Sequence, residues 1–118
     1  MTSAAPLTDP TLVLPPRPGF AWLVALAGPP RGRLYPLDPT GVRVGQAAEN
    51  DIAIEHPALS RVHARFYAEA GGQGYRFCVQ DLASAGGVYI NGERVVQREL
   101  HDDDRIHLGP VPFVFKQL

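Results

Sequence analysis

The chain has 118 residues, with a hydrophobic fraction of 45%, a charged fraction of 19% and a formal net charge of -1. Those values suit one globular domain with a buried core and exclude a globally disordered chain. No Lys/Arg stripe of the kind a nucleic-acid or acidic-membrane surface requires is present, so neither is expected as a partner.

Residues 1–19 contain Pro6, Pro10, Pro15, Pro16 and Pro18. Prolines this dense remove backbone donors and block strand pairing, which predicts a flexible, Pro-rich lead-in, most simply a tail with no role of its own. It lacks a basic stretch followed by an apolar one, so no secretory signal is read, and no run of about 18 apolar residues marks a spanning helix. A cytoplasmic location is the default expectation. The single Cys78 has no partner for an intramolecular disulfide and is expected to act as a small buried hydrophobe.

From Phe20 the texture changes. Phe20 to Leu26, Arg33 to Leu37, Val42 to Val44, Ile52 to Ile54, Val62 to Tyr67 and Tyr75 to Val79 are short apolar or alternating runs. Val88 to Ile90, Arg94 to Val96, Arg105 to Leu108 and Phe113 to Phe115 continue the series. Gly, Pro, Asn or Asp bounds each run, and no helical periodicity exceeds a turn or two. This predicts an all-β sandwich or barrel joined by tight turns. Asn91-Gly92 between two runs is a strong hairpin signal, and Gly71-Gly72-Gln73-Gly74 reads as a flexible loop. Trp22, Phe113 and Phe115, in the first and last runs, are expected in the core, with those terminal strands paired or packed together.

The chemistry-bearing residues concentrate between Gly45 and Ala64, where Leu59-Ser60-Arg61-Val62-His63-Ala64 places a hydroxyl, a guanidinium and an imidazole in one short loop. A Ser60–His63 pair with Asp81 or Asp51 would be a hydrolase reading. A triad, however, needs an oriented base and an oxyanion hole, and no G-x-S-x-G elbow is present. No catalytic residue is assigned. His101, Asp102, Asp103, Asp104 and His107 lack a ligand spacing that specifies a geometry, so a solvated acidic turn is expected, with no metal and no cofactor. His56, before Pro57, reads as a loop residue.

Gly45, Asn50-Asp51-Ile52, Ser60-Arg61-Val62-His63-Ala64, Asp81-Leu82-Ala83-Ser84, Asn91-Gly92 and Arg105-Ile106-His107-Leu108-Gly109 occur in one order. As a set they resemble the forkhead-associated (FHA) domain, whose pattern runs G-R, N-D-I, S-R-x-H-A, D-L-x-S-x-N-G-T, N-G, G-D-x-I-x-L-G. The resemblance covers residues 20–118. It implies a β-sandwich of two sheets and about eleven strands, with phosphothreonine peptides bound by loops at one end.

Carried over by position, Ser60 would donate its hydroxyl to phosphate and Arg61 would contact phosphate or peptide. His63 would brace the loop, supported by Gly45, while Asn91-Gly92 forms the hairpin turn. The departures are equally specific. Gln46 stands where the family has Arg, and charge-assisted hydrogen bonds are worth about 1.5–3 kcal/mol, so this change alone is expected to cost tenfold or more in affinity. Ala85 replaces a hydroxyl that often reaches phosphate, Gly86 replaces the Asn that grips the peptide backbone, and Val88 replaces the Thr. Asp103 takes a Gly position. Arg43 is the candidate cation to compensate for Gln46.

The expected function is a non-catalytic interaction module for a phosphothreonine-containing protein partner in signalling. The alternative is a divergent domain that has lost phosphate recognition and binds a protein, or itself, independently of phosphorylation. The excess of Ala, Gly, Pro and Arg over Lys (only Lys116) is that of a GC-rich bacterial genome.

Overall fold

The computed structural model describes residues 21–27, 32–71 and 74–118. The Pro-rich segment at 1–19 and residues 72 and 73 of the glycine-rich loop lie outside the described residues. In chain order the strands are β1 (Ala21–Ala25), β2 (Leu34–Pro36), β3 (Val42–Gly45), β4 (Ile52–Ala53), β5 (Ala64–Gly71) and β6 (Gly74–Asp81). They continue as β7 (Val88–Ile90), β8 (Glu93–Val95), β9 (Gln97–Glu99), β10 (Arg105–Leu108) and β11 (Val111–Gln117). One sheet has the order β2-β1-β11-β10-β7-β8 and the other β4-β3-β5-β6-β9, so the expected two-sheet β-sandwich is observed.

Alternation builds the core. From the six-stranded sheet, Leu23, Phe113, Phe115, Ile106, Leu108, Val88 and Ile90 point inward, and from the other come Val44, Phe66, Phe77 and Val79. Phe77 and Phe115 meet across the sandwich with ring centroids 5.9 Å apart. Burying each such side chain contributes about 1.5–3 kcal/mol, which fixes the inward phase of every strand and hence which loops emerge at each end. The terminal strands pair as expected, with Leu23 opposite Phe115 and Ala25 opposite Phe113.

Trp22 departs from expectation. Ala21, Leu23 and Ala25 take the inward positions of β1, so Trp22 lies half-buried on the outer face, opposite Lys116 and Pro36. The run Ala-Trp-Leu-Val-Ala is apolar in both phases, and the smaller Ala21 and Ala25 fit beneath the Phe-rich β11. Strand β9 was not among the expected runs. Its residues are polar on both faces, and it is held by its ladder to β6, with Cys78 opposite Glu99 and Gln80 opposite Gln97. Strand β5 begins at Ala64 rather than Val62, although the His63 N–H still bonds the Val44 carbonyl of β3 (2.8 Å).

The Asn91-Gly92 hairpin forms as read, with Ile90 opposite Glu93 and both turn residues at positive φ (51° and 86°), a two-residue turn that matches strand twist. Asn91 also bonds the next turn, donating from Nδ2 to Asp104 Oδ1 (2.9 Å) and accepting the Arg105 N–H at Oδ1 (2.9 Å). Asp103 has φ 73°, the left-handed conformation that a glycine would take without strain. Cys78 is buried, 3% exposed, as expected.

Candidate functional site

At one end of the sandwich the loops β3–β4, β4–β5 and β6–β7 converge through backbone bonds. The Gln46 N–H donates to the Ser60 carbonyl (3.0 Å) and the Ala47 N–H to the Arg61 carbonyl (3.1 Å). Asn50 adds its Nδ2, which donates to the same Arg61 carbonyl (2.6 Å) and to that of Ala47 (2.8 Å). Gly45 permits this approach, since a β-carbon there would lie 2.3 Å from the Arg61 carbonyl oxygen.

His63 is the brace. It is fully buried, accepts the Ser60 N–H at Nδ1 (3.2 Å) and faces the Gly87 carbonyl through Nε2 (2.8 Å). An acceptor at Nδ1 and a carbonyl at Nε2 assign the proton to Nε2. The imidazole thereby ties the Ser60 loop to the β6–β7 loop, whose own turn is closed by Ser84 N–H to Asp81 Oδ1 (3.0 Å) and Gly87 N–H to Ser84 Oγ (2.9 Å). Both ring nitrogens are committed to backbone, and neither faces the Ser60 hydroxyl. Asp51 Oδ2 accepts the Arg43 N–H of β3 (2.9 Å), so of the two triad aspartates one serves strand β3 and the other, Asp81, its turn.

Ser60 Oγ accepts the Ala85 N–H at 3.0 Å, which leaves its hydroxyl proton free to donate outward. The structure therefore brings Ser60, Arg61, Gln46, Ala85 and Gly86 to one loop face. Gln46, Arg61 and Ala85 are exposed, and Ser60 and Gly86 are partly so. A β-carbon on Gly86 would meet the Gly109 Cα at 3.0 Å, so an Asn at this position requires the β10–β11 turn to give slightly. Val88 is fully buried in the core and presents nothing to a ligand.

Arg43 is not brought to this face. It alternates with buried Val42 and Val44 and pairs with Arg65, which puts it on the outer face of the five-stranded sheet. That face also carries Tyr67, whose ring lies under the Arg65 guanidinium and whose hydroxyl meets Gln97 Nε2.

Sequence reasoning missed Glu49. Its Oε1 lies 2.9 Å from Arg61 Nη2, with side-chain exposures of 66% and 78%. Asn50 belongs to the Asn-Asp-Ile motif; among the described residues its buried Oδ1 has no partner, although its Nδ2 has two. Gln46 also lines a side cleft of about 440 Å3 with Arg33, Tyr35, Ala48, Ala53, Ile54 and Glu55. No local pattern announces these contacts, because the partners come from separate loops. Elsewhere, His56 Nδ1 accepts the Ala58 N–H (3.1 Å), a loop role, and Lys116 pairs with Asp102 and Asp103 in the acidic turn. Among the described residues no three His, Cys, Asp or Glu side chains are grouped to hold a metal ion. Among them, too, no helix is long and apolar enough to cross a membrane.

The family model described as "FHA domain" matches residues 42–109, more than half of the chain. The chain is 34% identical over 97 residues to the glycogen accumulation regulator GarA of Mycolicibacterium smegmatis, covering 82% of this chain and 59% of that protein. It is 39% identical over 79 residues to the ABC transporter ATP-binding/permease protein Rv1747 of Mycobacterium tuberculosis, covering 67% of this chain and 9% of that one. The chain thus spans less than two thirds of either relative. Among solved structures, Mycobacterium tuberculosis EmbR in complex with a low affinity phosphopeptide superposes with a TM-score of 0.72 at 31% identity, covering 84% of this chain and 24% of that one.

Proposed function

The chain belongs to the FHA-domain family, and on that premise we propose that it binds a phosphothreonine-containing protein partner through the loop face of Ser60 and Arg61. The observation that carries this reading is the Ser60 hydroxyl. Its oxygen is held by the Ala85 N–H, and its proton is free beside the guanidinium-bearing residue of the same loop. A phosphate dianion needs such convergent donors, a hydroxyl and a cation, on a scaffold that does not have to reorganise. The solved relative with a phosphopeptide supports the same ligand class.

The module is non-catalytic in this reading. Ser60 has no base, because His63 is spent on two backbone groups. Its setting is signalling in the cytoplasm. Gln46 in place of Arg makes the affinity modest, and Arg43 does not compensate from the outer sheet face.

NMR titration of the labelled protein with a degenerate phosphothreonine peptide pool tests the location. Amide shifts concentrated at Gln46, Ser60, Arg61 and Ala85, absent with the unphosphorylated pool, are the expected result. Shifts elsewhere, or equal shifts with both pools, would move the function to the alternative, a phosphorylation-independent protein contact.

A further inference from the structure

Both cationic positions of the loop face are muted in this chain. At one, Gln46 carries no charge. At the other, Arg61 is present but its guanidinium already faces the Glu49 carboxylate at 2.9 Å. We propose that Glu49 is an internal competitor for Arg61, and that it sets the phosphate affinity of this site low; this rests on the phosphothreonine reading above.

The geometry favours competition over mere coincidence. The Arg61 backbone is pinned by two donors from the β3–β4 loop, Ala47 N–H and Asn50 Nδ2. Glu49 sits on that same loop beside Asn50, so the two side chains are held near one another by their backbones. A salt bridge this exposed adds little to stability. A carboxylate, however, offers a guanidinium a pair of anionic oxygens, as two oxygens of a tetrahedral phosphate also do, so both compete for the same N–H donors. An incoming phosphate must displace Glu49 or share Arg61 with it, and then bears the repulsion of a nearby like charge. Glu49 therefore acts on the ligand through Arg61, and its charge selects strongly charged ligands over weakly charged ones.

The test is a double-mutant cycle on the full chain, using E49Q, R61Q and the double variant. Binding of the degenerate phosphothreonine pool and of the matched unphosphorylated pool would be read by NMR titration, which follows weak binding as well as tight. E49Q keeps size and hydrogen bonding but removes the charge. It is expected to bind the phosphorylated pool about three- to tenfold more tightly than wild type, with no change for the unphosphorylated pool. In the R61Q background the same change is expected to give less than about twofold. Thermal midpoints of wild type and E49Q are expected to coincide, as for an exposed pair. Equal or weaker binding by E49Q would overturn the proposal, since Glu49 would then only preorganise Arg61. A full gain surviving in R61Q would overturn it too, because the effect would be simple repulsion at a distance. Phosphorylation-dependent binding absent from both wild type and E49Q would instead remove the phosphate reading itself, and this proposal with it.

Discussion

Gly45 and Arg61 touch backbone to backbone: a β-carbon on Gly45 would sit 2.3 Å from the Arg61 carbonyl oxygen and 2.9 Å from the Val62 Cα. This approach lets the Gln46 and Ala47 N–H groups reach the Ser60 and Arg61 carbonyls. The glycine is thus needed for space, and Gln46 after it is exposed on the loop face. Gly45→Ala is expected to lower stability by about 1–3 kcal/mol, toward the top of that range because the clash is with backbone. Denaturant midpoints check this, and an unchanged midpoint would contradict it.

His63 joins two loops through one buried ring. His63→Ala leaves the Ser60 N–H without its partner, removes one of the two bonds to the Gly87 carbonyl, which keeps the Gly109 N–H, and opens a void between the loops. A loss of about 3 kcal/mol is expected, because the unmet Ser60 N–H, the lost bond to Gly87 and the cavity all contribute. Where the variant still folds, the Ser60 and Gly87 amide environments are expected to change while those of β1 and β11 do not, which NMR would read.

Gln46→Arg restores a cation at the exposed loop position. If charge is what this site lacks, affinity for phosphothreonine peptides rises about tenfold or more, the size of a charge-assisted hydrogen bond. No gain would mean that the loop does not deliver position 46 to the phosphate.

Cys78 is expected to be inert while the protein is folded. Burial, followed by the charge and hydrogen bond of Glu69 and the charge of Glu99, pushes its thiol up to about 11 from an ordinary 9.0. Near pH 8 the reactive thiolate is then about a hundredfold scarcer than in the unfolded chain. Alkylation should therefore be at least that much slower in buffer than in urea. Equal rates would show that the β5–β6–β9 face opens readily.

Much of this fold was legible because one face of most strands is buried. Phe66, Phe77, Phe113 and Phe115 announce their strands by alternation, and Asn91-Gly92 announces its hairpin. The polar β9 could not be seen, since its only reason to be a strand is its ladder with β6. Trp22 was misplaced because β1 is apolar in both phases, and only packing against Phe113 and Phe115 decides between them. At the site, Ser60, Arg61 and His63 stood out as a cluster. Glu49 did not, because its relation to Arg61 exists only after Asn50 and Gly45 have brought two loops together. Arg43 looked close in sequence, yet strand alternation turned it to the outer face.

Fluorescence anisotropy of a labelled degenerate phosphothreonine peptide pool, with wild type and Ser60→Ala in parallel, tests whether this face reads phosphate. Saturable binding by wild type that is lost both with unphosphorylated peptides and with Ser60→Ala is the expected result. Binding that is indifferent to the phosphate, or that survives loss of the Ser60 hydroxyl unchanged, would contradict it.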